Sequence, residues 1–420
     1  MAPATLVKSV RVYDPAGPHH DRVVDLLLTG GQLTIDPTDA PDAALRVEAE
    51  GLSVSLGWAD VGAGVGEPGH EQRETVRSLQ AAALAGGYTH VLVKPETEPA
   101  IASRSDVEAF RSRAAEHPVD LDVIGSLVPA GDHGRLAELG DMAAAGVRFF
   151  ALPGDGPVED PKLLSLALAY AGQLGATVVT RPGVARLSDD GLMHEGAVST
   201  QLGVPGVPAF TEAVGVQRDL AIRDYRGGRL HFDALSTASA LAHLDGAGRD
   251  EVTYGVPILN LLLDDAAMRT YDADLKVEPV LRAASDRERL RAAVRAGDAD
   301  VLVSNHRPRT LEDKRVEFAY AEFGAATLED AFGVACAAVG GYEPVVDYLA
   351  RRNRLFLGLA CPAIASGVTE PLTLFQAAHT YQPAAVTRAT LGRNTPRYAE
   401  PLRGRAFGII REAQLHYAQP

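Results

Sequence analysis

The sequence predicts an α/β protein in which a (β/α)8 barrel carries a small β-domain built from both chain termini. Three observations predict this architecture. Short β-like runs open the chain, strand-like and helical segments alternate through its middle, and β-like runs return near its end. No short repeat or low-complexity tract interrupts this order.

The opening of the chain is rich in strand-forming residues. Its runs TLVKSVRVYDP, RVVDLLLTGGQLTID and ALRVEAEGLSVSL are short and carry many Val and Leu residues. Gly, Pro and Asp residues punctuate them, as expected where strands end in turns. We therefore predict several short strands in this first part of the chain.

From about residue 53, apolar strand-like runs alternate with segments of helical spacing. Segments such as 74–86 and 287–297 repeat apolar residues at helical spacing and end in Gly, as many helices do. The strand-like runs number eight: 53–61, 89–95, 121–129, 147–153, 177–182, 229–236, 251–257 and 300–305. Eight alternations favour a closed barrel, with an open doubly wound sheet as the alternative. In a barrel, functional residues are expected at the C-terminal ends of the strands.

The end of the chain returns to β-like runs in EPLRGRAFGIIREAQL, residues 400–415. Two β-rich termini around one barrel can pair and bury a shared apolar face. The predicted division is therefore 1–55 with 366–420 for the small β-domain and 56–365 for the barrel.

The composition is that of an ordinary globular protein, with 46% hydrophobic and 23% charged residues among 420. A formal net charge of −15 argues against a nucleic-acid partner, because such proteins need a basic face. Two cysteines, Cys336 and Cys361, are too few for a disulfide framework or a cysteine-rich zinc site. The start lacks the apolar core of a signal peptide and no run approaches membrane-spanning length, so we expect a cytoplasmic protein without a membrane partner.

A glycine-rich loop, ADVGAGVGEPGHE at residues 59–71, follows the first predicted barrel strand. Within it, GVGEPG formally matches the G-x-G-x-x-G fingerprint of dinucleotide-binding proteins. Glu67 would place negative charge beside a pyrophosphate, and Pro68 interrupts the helix start that should bind it. A plain turn is the better interpretation of this motif.

The segment from Gly57 to Pro99 resembles the first motif block of the dihydroorotases, which are zinc-dependent cyclic amidohydrolases. In that family the block reads D-x-H-x-H-x-R-E-P-G, then a helix, G-G-[FY]-T and P-N-T-x-P. The matching residues are Asp60, Glu67, Pro68, Gly69, Gly86, Gly87, Tyr88, Thr89, Pro95, Thr97 and Pro99. Further similar blocks lie at 191–222, 229–237, 275–282 and 303–332. The resemblance implies the barrel of metallo-dependent hydrolases with its flanking β-domain.

The same resemblance implies that the metal-binding loop has lost its ligands. The paired metal-binding histidines fall on Gly62 and Gly64, and glycine has no side chain to coordinate zinc. The arginine that should hold a substrate carboxylate falls on Gly66, and the asparagine of the second motif falls on Glu96. Misalignment is the alternative, although the motif frames on both sides of each replacement stay in register.

The remaining site positions are also replaced in the resemblance. Asp155 lies near the place of a carboxylate ligand, Arg181 and Ala234 stand where histidine ligands are expected, and Glu278 replaces a substrate-contacting asparagine. The catalytic aspartate falls on Asn305, whose amide carries no negative charge and is a poor proton acceptor. Zinc, the family's cofactor, therefore has no expected ligands here, and we expect no other cofactor.

Charged residues gather at the same predicted barrel mouth. For His306, beside the last strand, we predict structural hydrogen bonding rather than metal ligation, and Arg309 stands where the family has its final histidine. Two interpretations of the charges stay open, an ionic network or separate solvated rim charges. The residues concerned are Lys94, Arg181, Arg307 and Arg309 with Glu96 and Glu278, and Asp155 as a further candidate.

These replacements predict a catalytically inactive dihydroorotase homologue of pyrimidine biosynthesis. The resemblance implies a partner, because inactive chains of this family associate with aspartate carbamoyltransferase and support its assembly. It also implies a homo-oligomer. Two other functions stay open: an active cyclic amidohydrolase of dihydroorotase or hydantoinase type with an atypical site, and a sensor of an anionic metabolite. The strand ends show no Ser–His or Cys–His arrangement that would supply a metal-free hydrolase.

Overall fold

The first five strands of the chain share one sheet with its last three. The structure, a computed structural model, describes residues 4–42, 44–131, 134–154, 158, 160–188, 190–245 and 251–418. The N-terminal strands are β1 (Thr5–Val12), β2 (Val23–Thr29), β3 (Gln32–Ile35), β4 (Leu45–Glu48) and β5 (Leu52–Leu56).

Parallel strands and helices then alternate through the middle of the chain. The strands are β6 (Trp58–Ala63), β7 (Tyr88–Val93), β8 (Asp120–Val123), β9 (Gly125–Ser126), β10 (Phe149–Ala151), β11 (Thr177–Thr180), β12 (Met193–His194), β13 (Gly206–Val207), β14 (Arg229–Phe232), β15 (Val252–Pro257) and β16 (Val301–Val303). The C-terminal strands are β17 (Leu372–Tyr381), β18 (Leu402–Arg411) and β19 (Gln414–Tyr417).

The helices lie mostly between the parallel strands. They are α1 (Val76–Ala85), α2 (Arg104–Ala114), α3 (Leu139–Ala144), α4 (Pro161–Gln173), α5 (Ala197–Leu202), α6 (Phe210–Arg226), α7 (Ala238–Leu241), α8 (Ile258–Leu262), α9 (Ala284–Ala296), α10 (Leu311–Lys314), α11 (Ala331–Val339), α12 (Glu343–Asp347) and α13 (Asn353–Phe356). A π-helical turn, Tyr348–Arg352, joins α12 to α13, and 3-10 turns lie at Ala185–Leu187, Asp265–Thr270, Ala273–Leu275, Leu328–Asp330 and Pro383–Ala385. Among the described helices, none has both the length and the apolar character that crossing a bilayer requires.

The terminal sheet runs in the order β19-β18-β17-β5-β1-β2-β3, with β4 also paired to β1. Its two halves meet where β17 lies antiparallel to β5, with Leu372 opposite Leu56. Each terminus thus covers a hydrogen-bonding edge that the other would leave open. The predicted β-domain built from both termini is confirmed.

The barrel is built from two arcs of parallel strands, β6-β7-β8 and β9-β10-β11-β14-β15-β16. Every predicted run contains a strand of these arcs, so the prediction of an α/β barrel is confirmed. Two runs were wrongly predicted as single strands. The run 53–61 is divided at Gly57, whose amide donates to Pro371 O at 2.7 Å, so β5 enters the terminal sheet and β6 begins the barrel. The run 121–129 is divided at Ile124, because β8 pairs with β7 whereas β9 pairs with β10.

Side-chain hydrogen bonds join the first and last strands of the barrel. Asp60 on β6 accepts the amide of Ser304 at 2.8 Å and its hydroxyl at 2.7 Å, just beyond the end of β16. Asn353 donates to Ala59 O at 2.8 Å and to Leu302 O at 2.9 Å. Both residues are buried, so these bonds are shielded from water. They close the barrel.

An apolar layer fills the barrel below its mouth. It consists of Ala59, Val61, Leu92, Ile124, Phe149, Val179, Val301, Val303 and Leu357. Layers of inward side chains from successive strands are the usual filling of such a barrel. Polar side chains at the strand ends therefore lie directly above an apolar layer that excludes water. Their charges must be balanced by nearby protein groups.

Candidate functional site

Lys94, directly after β7, lies at the centre of the barrel mouth and is 4% exposed. Its Nζ donates to Asp233 Oδ2 at 2.7 Å and to Asn305 Oδ1 at 3.1 Å. Arg181 Nη2 lies 3.4 Å from the same Asp233 oxygen, and Arg181 Nη1 lies 3.8 Å from Glu278 Oε2. The charges at the mouth form a buried network whose shared anion is Asp233.

A second ion pair extends this network toward the glycine-rich loop. Arg307 Nε lies 3.2 Å from Glu96 Oε2, and both side chains are almost completely buried. Arg309 is also nearly buried, but its Nε donates to Phe323 O at 2.9 Å. The interpretation as separate solvated rim charges is therefore wrong for Lys94, Arg181, Arg307 and Glu96, whereas Asp155 lies outside the described residues.

The pKa values of the buried acids reflect their cationic neighbours. Burial alone raises the pKa of Asp233, but Lys94 and then Arg181 outweigh it, and the net shift is downward. Burial likewise raises the pKa of Glu96, but Arg307 and Lys94 give it a net lowering. Burial lowers the pKa of Lys94, with Asp233 opposing this effect. Both acids are held as carboxylates bound to cations, and neither is a free proton acceptor.

The two glycines at the expected ligand positions are tightly enclosed by this network. A Cβ atom at Gly62 would lie 2.5 Å from Val303 Cγ1 and 3.0 Å from Lys94 Cε. At Gly64 it would lie 3.0 Å from Glu96 Oε2 and 3.3 Å from His306 O. The space that side chains at these two positions would need is occupied by Lys94 and Glu96. Glycine is therefore the residue that fits here.

Gly66, where the family has a substrate-binding arginine, is confined by backbone. A Cβ atom there would collide with His70 O and lie 3.0 Å from Glu74 O. The Gly66 amide donates to Glu74 O at 2.9 Å, and Gly66 O accepts the amide of His70 at 2.6 Å. This tight turn has no room for any side chain, so an arginine would require a different loop.

Asn305 makes two hydrogen bonds that require an amide. Its Oδ1 accepts from Lys94, and its Nδ2 donates to Glu278 O at 3.0 Å. An aspartate could accept from Lys94 but could not donate to the carbonyl unless it were protonated. The residue has φ of +50°, a left-handed conformation that asparagine tolerates better than most residues. Asn305 joins the network to the loop that carries Glu278.

Asp60 and Ala234 make different contributions to the mouth. Asp60 is fully buried and closes the barrel through Ser304, and burial raises the pKa of its carboxyl despite those hydrogen bonds. Ala234 is fully buried and offers only a methyl group. Neither residue presents a free ligand atom to the mouth.

His306 lies at the end of the eighth barrel strand and is fully buried. Its Nδ1 accepts the backbone amides of Thr327 at 3.1 Å and Leu328 at 3.2 Å, which places the ring proton on Nε2. Nε2 lies 3.5 Å from Glu74 Oε2. The imidazole thus fixes the segment between β16 and α11, which is the structural hydrogen-bonding role predicted for it.

The described side chains at the mouth are engaged with one another and do not converge as a zinc site would require. Within the described ranges, no group of three or more His, Cys, Asp or Glu side chains is arranged to hold a metal. The buried acids Asp60, Asp233 and Glu96 are engaged by Ser304, Lys94 and Arg307 respectively, and the more exposed Glu278 lies 3.8 Å from Arg181. Zinc needs several such donors directed at one point, and here the donors are directed at Ser304, Lys94 and Arg307 instead.

Sequence reasoning missed Asp233, the anion at the centre of the network. It lies in the run RLHFDALS, one residue before the expected ligand position Ala234. The available signal was charge balance, since two cations at the ends of barrel strands, Lys94 and Arg181, require an anion at the same mouth. The family's metal-binding pattern marks only the positions of its ligands, and Asp233 is not one of them.

His231, two residues before Asp233, provides a pH-dependent test of the barrel interior. It is 2% exposed, its Nδ1 lies 2.8 Å from Thr253 Oγ1, and burial lowers its pKa to about 4. The unfolded chain, with an ordinary histidine pKa of ~6.5, binds the proton first as the pH falls. The stabilising contribution of neutral His231 is complete above that value and declines as the pH falls toward its folded-state pKa.

The free energy of unfolding falls between about pH 7 and pH 5, partly because His231 binds a proton only in the unfolded chain. In the His231→Gln variant we expect this fall to be about 2 kcal/mol smaller. Urea unfolding at both pH values would measure the change. Substitution of the exposed His243 by Gln is the control and should leave the difference unchanged. An equal effect of the two substitutions would contradict the assignment.

The fold and the sequence both have known relatives. The dihydroorotase of Syntrophus aciditrophicus (strain SB) is 30% identical over 424 residues, which cover 99% of each chain. The dihydroorotase of Pelotomaculum thermopropionicum is 32% identical over 415 residues, which cover 96% of each chain. No family model matches the chain.

Solved structures of hydantoinases have the same fold. The L-hydantoinase of Arthrobacter aurescens superposes with a TM-score of 0.80 at 18% identity, over 99% of this chain and 96% of the other. A D-hydantoinase from Thermus sp. gives the same TM-score, identity and coverage. At this identity the likeness concerns the fold alone.

Proposed function

The chain belongs to the dihydroorotase family, and we propose that it is a non-catalytic member retained for its association with aspartate carbamoyltransferase. The main support for the proposed loss of catalysis is the Lys94–Asp233 salt bridge of 2.7 Å at the centre of the mouth. Beside it, a Cβ atom at Gly62 would collide with Val303, and one at Gly64 would press on Glu96.

The chemistry of cyclic amide hydrolysis supports this proposal. The reaction needs a water made nucleophilic and a group that accepts its proton. Asp233 and Glu96 are buried carboxylates of the described part of the mouth, and their cationic partners hold both pKa values low. Asn305 uses its amide oxygen to accept from Lys94. An active amidohydrolase with an atypical site would need a base, and these residues supply none.

The association with aspartate carbamoyltransferase is inferred from the family alone. A chain whose mouth is filled can still be retained for its surface, because assembly depends on the outside of the barrel. A homo-oligomer and a complex with the transferase are compatible if they use different patches of the surface.

We expect the purified chain to co-elute with aspartate carbamoyltransferase from the same organism at micromolar concentrations, and to change the transferase's assembly state or activity. Size-exclusion chromatography with light scattering would measure the masses, and a transferase assay the activity. A catalytically active dihydroorotase from an unrelated organism serves as the control for non-specific binding. Separate elution of both proteins with unchanged transferase activity would contradict the partnership without affecting the loss of catalysis.

A further inference from the structure

A cavity of about 270 Å³ lies at the junction between the terminal sheet and the barrel. Part of its lining comes from the segment directly after β1 and from Leu56 at the end of β5. The rest comes from α12, the π-helical turn that follows it, and Cys361. Leu56 precedes β6 by two residues, so the cavity lies near the N-terminal end of that strand. The charge network lies at the C-terminal strand ends, and the two sites are therefore separate.

Most of the cavity lining is apolar. It consists of Pro15, Ala16, Leu56, Val346 and Ala350 with the ring of Tyr13 and the thiol of Cys361. Such a lining favours a ligand with a hydrophobic body, because moving apolar surface out of water is favourable. A volume of about 270 Å³ suits a molecule of about ten non-hydrogen atoms.

Asp14 adds a carboxylate to this lining and is only 9% exposed. Its Oδ2 accepts the amide of Ile364 at 2.8 Å. In the described part of the chain, no cationic side chain forms an ion pair with this carboxylate. Arg351 also lines the cavity, but its Nε lies 2.7 Å from Asp347 Oδ1, and Arg352 Nε lies 2.9 Å from Asp347 Oδ2. Asp14 therefore presents a negative charge that a ligand can balance.

The Tyr13 side chain indicates a negative electrostatic potential in the same region. Its hydroxyl donates to Glu343 O at 2.8 Å. Burial, followed by the charges of Asp347 and Glu343, raises the pKa of this hydroxyl to about 12. The ring also lines the cavity, and the face of an aromatic ring attracts organic cations. Potential and lining thus both favour a cation over an anion.

We propose that this cavity binds a small organic ammonium ion with an apolar body. The ammonium group would donate to Asp14 and lie beside the Tyr13 ring, and the body would pack on Leu56, Val346 and Ala350. A hydrogen bond between two charged groups is stronger than one between neutral groups, so a neutral ligand is the poorer match. An organic carboxylate would be repelled by Asp14. Neither the loss of catalysis nor the association with the transferase enters this proposal.

Three probes of similar size and different charge test the proposal: benzylamine, benzyl alcohol and benzoate. Titration calorimetry on the full chain at neutral pH would measure their binding. We expect benzylamine to bind with a dissociation constant of about 1 mM or less, and both other probes at least about tenfold more weakly. Absence of benzylamine binding would overturn the proposal. So would an equal or higher affinity for benzyl alcohol or benzoate.

A pair of matched substitutions tests the role of Asp14. Asp14→Asn removes the charge and keeps an oxygen that can accept the Ile364 amide, whereas Asp39→Asn removes the same charge from an exposed position outside the cavity. We expect the first to weaken benzylamine binding at least about tenfold and the second less than about twofold. Equal effects would show attraction to net negative charge alone and would contradict the site.

Cys361 provides a second readout that needs no substitution. Its thiol lines the cavity and is partly exposed, whereas Cys336 is buried. Benzylamine at about ten times its dissociation constant should slow alkylation of Cys361 by iodoacetamide at least about fivefold, and benzoate at the same concentration should not. Mass spectrometry of the alkylated peptides would measure both rates. Unchanged alkylation at saturating benzylamine would overturn the proposal even if the Asp14→Asn variant failed to fold.

Discussion

Replacing Lys94 by Met should lower the free energy of unfolding by about 3–5 kcal/mol, one of the largest effects expected from a single substitution in this chain. Methionine fills much of the same volume but leaves Asp233 with Arg181, at 3.4 Å, as its remaining cationic partner. The carboxylate is buried, so losing the bond of 2.7 Å is not compensated by water. Chemical denaturation at neutral pH would measure the loss.

The size of this effect is tested by a double-mutant cycle. Asp233→Leu alone should also be strongly destabilising, because it leaves Lys94 without its carboxylate. The double variant Lys94→Met/Asp233→Leu should lose at least about 1 kcal/mol less than the sum of the single losses. Arg104→Ala breaks an exposed pair with Glu108 and should cost at most about 1 kcal/mol. Additive losses in the cycle would contradict a direct Lys94–Asp233 interaction.

Restoring a histidine at Gly62 should lower stability by about 4 kcal/mol or more and should not restore metal binding. Even the first side-chain atom would lie 2.5 Å from Val303 Cγ1, and an imidazole would compete with Lys94 for the same space. The smaller change Gly62→Ala should cost about 1–3 kcal/mol, since it adds only the colliding methyl group. Thermal and urea unfolding of both variants would check the order of these losses.

Gly172→Ala is the matched control for the alanine variant. Gly172 lies in the exposed part of α4, where a Cβ atom would be 3.5 Å from its nearest neighbour, the Gly228 Cα. Alanine there should leave stability unchanged or raise it by up to about 1 kcal/mol. A Gly62→Ala variant as stable as the Gly172→Ala variant would show that the mouth has more room than the structure gives it.

The architecture could be predicted from the sequence because most barrel strands carry an apolar run of their own. Runs such as THVLVKP and TVVTRP are short, β-branched and followed by helical spacing, and local pattern alone identifies them. The division of 53–61 at Gly57 could not be predicted. It depends on Pro371, a residue far along the chain that meets the Gly57 amide only in the folded protein.

The charge network was only partly accessible from the sequence. Family motifs identified the positions of Gly62, Glu96, Arg181 and Asn305, because each replaces a residue with a known role. They gave no reason to examine Asp233, and pairing across the barrel is a property of tertiary structure. The enclosed space around the glycines was likewise hidden, since a glycine in a sequence does not reveal what surrounds it.

We propose that the Lys94–Asp233 pair at the barrel mouth replaces the metal that the family binds. The most direct test is the zinc content of the chain, purified without chelators and dialysed against zinc-containing buffer, measured by inductively coupled plasma mass spectrometry. We predict far less than one tightly held zinc ion per chain. Stoichiometric zinc that survives dialysis, and is lost when Asp233 is replaced by Leu, would contradict the account.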